Sequence, residues 1–495
     1  MDSPLTYSLS EHRRAGVLLH VTSLPGDGIQ GDIGDAYRFV DFLAAAGMAL
    51  WQVLPIGPIT HQGSPYQSDS VHAGNPLMID LNGLVDSGWL KRDALRRAEI
   101  KPEHRQKLLI DARQGFEDSA PEEQRARYDD FKVEQSHWLD SYALYQAIRE
   151  RQQGKSWWQW PAHLRERDPW ALKQTGDAYR SRIEQTCFEQ FVFFSQWQRL
   201  RSYAREKGIF LFGDVPYYAA HDSVDVWVHR HYFQIDSEGR PQFVAGVPPD
   251  DFSATGQRWG NPVYDWDRIA ADGFAWWVKR IRTCLNLFDI VRLDHFRGFE
   301  SCWQIPVDSP TAEQGAWVPV PGHELLSALQ QNYPSLPFVA EDLGTITQEV
   351  GLLRDEFLLP GMKVLQFAFD SDSGNPYLLH NHVNGSVVCT GTHDNNTTVG
   401  WFDALDEQMA QRVLDYLGLP GEPMPWPLIR AAFTSVAQLA MIPMQDLLSL
   451  GAEHRMNTPG TTERNWGWRF TWEQVDPDLA VRLRRMLENH DRLPT

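Results

Sequence analysis

Eight short apolar runs that stop at Gly, Asp or Pro recur along the chain: Gly16–Val21, Leu50–Pro55, Ile209–Pro216, Ile290–Phe296, Phe338–Leu343, Val364–Phe369, Val387–Thr392 and Met441–Leu447. Runs this short fit buried strands and buried helix segments alike. The chain between them favours strands, because amphipathic helical patterns occupy Tyr37–Ala46, Phe191–Arg205, Phe274–Leu287 and Glu324–Gln331. Strand alternating with helix is the signature of a parallel sheet, and eight strands is the number that closes a (β/α)8 TIM barrel. The expected fold class is therefore α/β, a single (β/α)8 TIM barrel over 1–495.

Spacing between the runs is uneven. Too much chain separates the second run from the third for one crossover helix, so 57–205 is expected to hold an inserted, largely helical subdomain rich in Arg, Glu and Trp. A second insertion, 219–272, is rich in Tyr, Trp, Pro and Gly, which suits a long ordered loop over the barrel mouth. No internal repeat, low-complexity tract or Gly/Ser linker divides the chain.

Composition narrows the partners. The 46 basic and 65 acidic side chains give a formal charge of −19, a surface that repels nucleic acid and anionic membranes and leaves neutral ligands unaffected. Cys187, Cys284, Cys302 and Cys389 are far apart, without a C-x-x-C pair, so buried free thiols are expected rather than a zinc site or disulfides. Met1–Gly16 is polar and lacks the apolar core of a secretory signal, and no stretch reaches the roughly 18 apolar residues of a spanning helix. The expectation is a cytoplasmic protein.

Three acids each close a strand-like run: Asp294 in Val291-Arg292-Leu293-Asp294-His295, Glu341 in Val339-Ala340-Glu341-Asp342, and Asp394 in Thr390-Gly391-Thr392-His393-Asp394. Strand tips at the C-terminal end of a barrel form its active-site mouth, and paired carboxylates are what glycoside cleavage with retention requires. Arg292 lies two residues before Asp294, so on a strand both point to one side and the guanidinium supplies a countercharge. Glu341, beside Asp342 and with few basic neighbours in sequence, suits a carboxyl that holds a proton and serves as acid and then base. Asp394 would stabilise oxocarbenium-like charge while His393 meets sugar hydroxyls. Taken singly, each acid is a helix cap or a surface ion pair more often than a catalyst; three in register are not.

Further motifs carry a resemblance from end to end: Leu19-His20-Val21-Thr22-Ser23-Leu24-Pro25-Gly26, Ser64-Pro65-Tyr66, Gly213-Asp214-Val215-Pro216, Gly246-Val247-Pro248-Pro249-Asp250, Gly256-Gln257-Arg258-Trp259-Gly260-Asn261-Pro262, Asn457-Thr458-Pro459-Gly460 and Asn465-Trp466. With the acid motifs, they make the chain resemble the 4-α-glucanotransferases, the amylomaltase or disproportionating-enzyme group of glycoside hydrolase family 77, relatives of the α-amylases. The resemblance implies Asp294 as nucleophile, Glu341 as acid/base and Asp394 as transition-state stabiliser. It places Arg292, His295, His393 and Asp214 around the sugar at the cleavage point, and Tyr66, Gln257, Trp259, Asp370 and Asn465 along the glucan groove. It implies α-1,4-glucans (maltose, maltodextrins, amylose) as donor and acceptor, with no cofactor and no metal. Against the family pattern, the long N-terminal extension of larger bacterial members is lacking and no C-terminal β-sandwich is expected after the barrel as in α-amylases, so accessory starch-binding contacts are not carried over.

Other features read blandly. Trp157, Trp158, Trp160 and Trp170 in the first insertion fit subdomain core better than sugar platforms. Gly154-Lys155-Ser156 has Arg149 where a phosphate loop needs its first Gly, and Asp370–Gly374 has Asn381 where an EF-hand needs Glu. An α-amylase-like hydrolase shares every catalytic residue, and a silent glucan-binding protein on the same fold is opposed by the intact acids.

Overall fold

The computed structural model describes residues 12–494 apart from 27, 60–62, 98–101, 250–252, 419–420 and 462. Asp250 of the Pro-Pro-Asp motif and the N-terminal stretch up to Glu11 lie outside the described residues. The strands are β1 Arg14–Leu18, β2 Leu50–Gln52, β3 Phe210–Val215, β4 Phe243–Val247, β5 Gln257–Pro262, β6 Ile290–Leu293, β7 Ser301–Pro306, β8 Ala316–Pro319, β9 Phe338–Ala340, β10 Gly361–Val364, β11 Ser386–Cys389 and β12 Leu439–Pro443. Eight of them close a barrel in the order β1-β2-β3-β6-β9-β10-β11-β12, with every neighbouring pair parallel.

Every expected run overlaps a barrel strand and continues past its end, furthest in two places. Val364–Phe369 contributes only its first residue to β10; Leu365–Phe367 is a 3-10 turn. Met441–Leu447 leaves the sheet at Pro443, and Met444–Leu447 is a helical turn. In both places most residues beyond the strand stay buried, Phe367 being half-buried, so hydrophobicity continues where the strand geometry does not.

Side-chain parity sets what the barrel encloses. Leu50, Phe212, Ile290, Val339, Met362, Val364, Val387, Cys389, Leu439 and Met441 form one apolar cluster inside the barrel, while the intervening residues pack outward on the helices. The same parity carries Asp214, two after Phe212, and Arg292, two after Ile290, inward near the C-terminal rim. Gly16 belongs to this inner set: a Cβ there would meet Leu50 Cβ at 2.4 Å and Leu50 O at 2.5 Å.

The outer helices begin where short polar side chains satisfy free N–H groups. Asp32 caps Ile33–Ala45 by accepting from Gly34 N at 2.8 Å, while Asp35 accepts from Asp32 N at 3.0 Å. The chain between β2 and β3 is helical, from Leu81–Asp86 to the 27-residue helix Arg180–Glu206. That last helix packs on Ser136–Arg151 in the insertion and then on the barrel layer, where Trp197 Nε1 donates to Leu287 O at 2.9 Å. Trp157 and Trp160 are buried in this subdomain, whereas Trp170 is 71% exposed and packs no core.

The second excursion differs from the expected loop. β4 and β5 pair antiparallel and join β7 and β8 in a four-stranded sheet, order β5-β4-β7-β8. Two of its strands come from 301–319, a segment in which no strand was expected. The four cysteines are free and buried. Among the described residues no helix is long and apolar enough to cross a membrane.

Candidate active site

A groove of about 850 Å³ crosses the C-terminal mouth of the barrel. Asp294, Glu341 and Asp394 line it together with Arg292. Asp294 and Glu341 are each the first residue after a strand, β6 and β9, and Asp394 follows β11 by a short turn.

Arg292 holds the floor. It sits opposite Asp214 in the β3–β6 register, and its Nη1 donates to both oxygens of Asp214, at 3.0 and 2.9 Å, and to Asp294 Oδ1 at 2.8 Å. Its Nη2 lies 3.8 Å from Glu341 Oε2. Burial opposes the guanidinium charge, yet Asp214, Asp294, Tyr66 and Glu341 outweigh it and keep Arg292 firmly protonated. Burial pushes the Asp214 carboxyl up, and Arg292 is the countercharge that opposes this. Asp214 does not line the groove; it braces what does.

Glu341 stands beside Asp294 with 13% of its side chain exposed to the groove, and desolvation, with Arg292 opposing and Asp294 adding, raises its carboxyl to about 8. Its Oε2 accepts from His295 N at 2.7 Å and its Oε1 from Leu343 N at 3.2 Å. The first of these bonds needs an unusual backbone, since His295 has φ 51°, in the left-handed region that a non-glycine residue adopts rarely and at a cost. The His295 ring lines the groove edge-on to Trp259, centroids 4.9 Å apart. Burial lowers its pKa to about 4, so the ring is neutral at pH 7, and its Nε2 is buried without a partner among the described residues.

Opposite stands a polar stack. Tyr66 OH donates to Asp214 Oδ2 at 2.8 Å and lies 2.9 Å from His393 Nε2. The hydroxyl has one proton, so with Asp214 taking it, His393 Nε2 is the donor in the second bond. Burial, with Asp214 adding, keeps the phenol protonated far above its usual range. Tyr66 and His393 stack at 5.3 Å, 17° between planes, and Trp466 packs 5.8 and 5.9 Å from them. Asp394 is oriented by Asn457 Nδ2, which donates to its Oδ1 at 2.6 Å, and by Arg455 Nη2, which donates to its backbone oxygen at 2.8 Å.

The remaining expected residues divide. Gln257 and Trp259 on β5 line the groove and join through Trp259 Nε1 to Gln257 Oε1 at 3.1 Å. Asn465 also lines it and steadies the preceding loop by accepting from Thr458 N at 2.9 Å. Asp370 does not reach the groove: it is exposed and accepts from Asn375 Nδ2 at 2.9 Å. The turn at Leu365–Phe367, where a strand was expected, ends the barrel element before Asp370 and turns that side chain to the surface.

With this geometry, the comparisons are decisive. The glycoside hydrolase family 77 description, 4-alpha-glucanotransferase, matches residues 19–474. The chain belongs to this family. Similar proteins include the 4-alpha-glucanotransferase of Synechocystis, 47% identical over 97% of this chain and 98% of that one, and that of Thermus thermophilus, 44% identical over 97% and 99%. The amylomaltase of Streptococcus agalactiae, solved in complex with acarbose, superposes with a TM-score of 0.94 at 35% identity over 97% of this chain and 99% of that one. The chain is thus an enzyme with 4-α-glucanotransferase activity on a TIM barrel.

Some groove residues of this 4-α-glucanotransferase escaped the sequence reading. Asn457 and Trp466 lie in motifs noted only as marks of resemblance. Arg297, Trp317 and Tyr218 also line the groove and had no signal of their own, because Trp317 reaches it only through the small sheet.

Proposed function

We propose that the chain cleaves an α-1,4-glucan with retention and passes the glycosyl segment to the 4-hydroxyl of another malto-oligosaccharide or of glucose, through a glycosyl ester on Asp294. The observation that carries this reading is one arginine, Arg292, touching Asp214 and Asp294 and standing beside a Glu341 held up to about 8.

At pH 7 Glu341 carries a proton and gives it to the departing glycosidic oxygen while an Asp294 oxygen bonds to the anomeric carbon. The glycosidic bond breaks and the shortened glucan leaves as an alcohol. An acceptor hydroxyl then gives its proton to Glu341 and displaces Asp294, restoring both carboxyls. Asp394, with 45% of its side chain exposed toward solvent, offers negative charge where positive charge develops. Neutral His295 offers a hydrogen bond to a sugar hydroxyl, while His393, its Nε2 proton given to Tyr66, holds that phenol in place beside the groove. The acarbose complex of the similar amylomaltase supports a saccharide ligand. These groups supply acid, nucleophile and charge stabilisation, so the route calls for no cofactor.

Incubation with maltotriose tests this directly. A ladder of longer oligomers with glucose is the expected result. Reducing ends rising without any longer product would point to α-amylase-like hydrolysis.

A further inference from the structure

We infer that Arg297, held against Trp317, is an acceptor-side sugar contact that biases the second step toward a saccharide over water; this rests on the transfer reading above. Arg297 lies in the 3-10 turn Phe296–Phe299 just after the Asp294 loop and is 8% exposed. Its Nε and Nη1 are buried with no hydrogen-bond partner among the described residues. Glu300 and Glu349 are the charges that act on it, yet among the described residues no carboxylate stands within ion-pair distance.

A guanidinium brings five donors and no acceptor, and leaving them unmet inside a protein is costly unless something else meets them. Its plane is fixed by the Trp317 ring, 3.8 Å from centroid to Cζ. Trp317 is held in turn by Trp303, 5.3 Å away and tilted 61°, whose Nε1 donates to Ala312 O at 2.9 Å. Both Arg297 and Trp317 line the catalytic groove.

Their side of the groove assigns the ligand. Glu341 gives its proton to the departing oxygen, and the wall that follows it, Leu343 to Thr345, lines the groove with Arg297. The Arg297 turn is tied to the Glu341 strand tip, where Phe296 N donates to Glu341 O at 3.0 Å, whereas Tyr66, His393 and Trp466 stack beside Asp214 and Asp394. The Arg297 donors, on the side of the acid/base, meet the sugar that leaves and the sugar that replaces it. Hydroxyl oxygens of a neutral glucose unit are the acceptors that these donors lack.

The test uses Arg297→Met, which keeps bulk and removes donors, Arg297→Lys, and Trp317→Leu, which releases the plane. Acceptor KM is measured with maltose as acceptor, donor KM by fluoride release from α-maltosyl fluoride, and water capture by free reducing ends. Losing one charge-assisted hydrogen bond should raise the acceptor KM of Arg297→Met by about tenfold or more. Donor KM should stay within about twofold, as for a group remote from the donor. The hydrolytic share should rise, with Arg297→Lys intermediate and Trp317→Leu in the same direction. An unchanged acceptor KM with a lowered thermal midpoint would make the pair a packing element and overturn the inference. A parent that forms no longer oligomers would instead sink the transfer reading itself.

Discussion

At the scale of residues, the account turns on two carboxyls with different surroundings. Glu341 stands desolvated beside Asp294 and is raised to about 8; Asp294 takes a hydrogen bond from Arg292. The acid form of Glu341 is the one that starts the reaction, and a raised pKa keeps it populated up to about 8. The kcat/KM for maltotriose should therefore hold through neutral pH and fall as pH rises through about 8, and a profile of rate against pH checks it. Glu341→Gln should abolish that limb and slow maltotriose far more than glycosyl fluoride, since fluoride leaves with little protonic help; equal slowing on both donors would make Glu341 structural. Asn457→Ala removes the donor that orients Asp394 and should lower kcat about tenfold to about a hundredfold, the cost of one hydrogen bond to a charged group, with KM little changed. Asp294, Arg292 and Glu341 were legible in sequence because strand parity and strand ends are local properties. Asn457 was not, since its bond to Asp394 spans 63 positions; Asp370, placed on the groove by the resemblance alone, is exposed after the turn that follows β10.

Among elements, the small antiparallel sheet does for the groove what the barrel does for the acids. β5 carries Gln257 and Trp259 over the mouth, and β8 brings Trp317 to the same cavity. If Trp259 stacks on an acceptor glucose and excludes water, Trp259→Ala should lower transfer by roughly 1–3 kcal/mol, by analogy with base stacking on aromatic side chains, and raise the ratio of hydrolysis to transfer. Free glucose and reducing ends measured beside the oligomer ladder give the ratio; an unchanged ratio would reduce Trp259 to packing. Inside the barrel, Gly16→Ala should destabilise by about 1–3 kcal/mol, because the new methyl meets Leu50 backbone and side chain together, and a denaturation curve reads it. The barrel strands were legible as buried apolar runs. β4 and β5 were not: they are interrupted by Gly and Pro, their register shifts between Val244 and Gly246, and their partners lie some way on in the chain.

On the scale of the whole molecule, eight parallel strands bring acids from positions 294, 341 and 394 to one rim. The fold class was readable because strand and helix alternate along most of the barrel, whereas the position of the small sheet over the mouth depends on contacts that no local pattern records. Transfer should survive exhaustive dialysis against a chelator, since carboxylates do the work that a Lewis acid would otherwise do; loss of transfer restored by calcium would overturn this. The central claim, that Asp294 carries the glycosyl group between donor and acceptor, is tested most directly by trapping the intermediate. The enzyme is reacted with 5-fluoro-α-glucosyl fluoride, digested, and the peptides are weighed and sequenced by mass spectrometry. The account predicts one added fluoroglucosyl mass on the peptide that spans Arg292 to Arg297, localised to Asp294 and absent from Asp294→Asn. The same adduct on any other residue, or full transfer activity in Asp294→Asn, would contradict it.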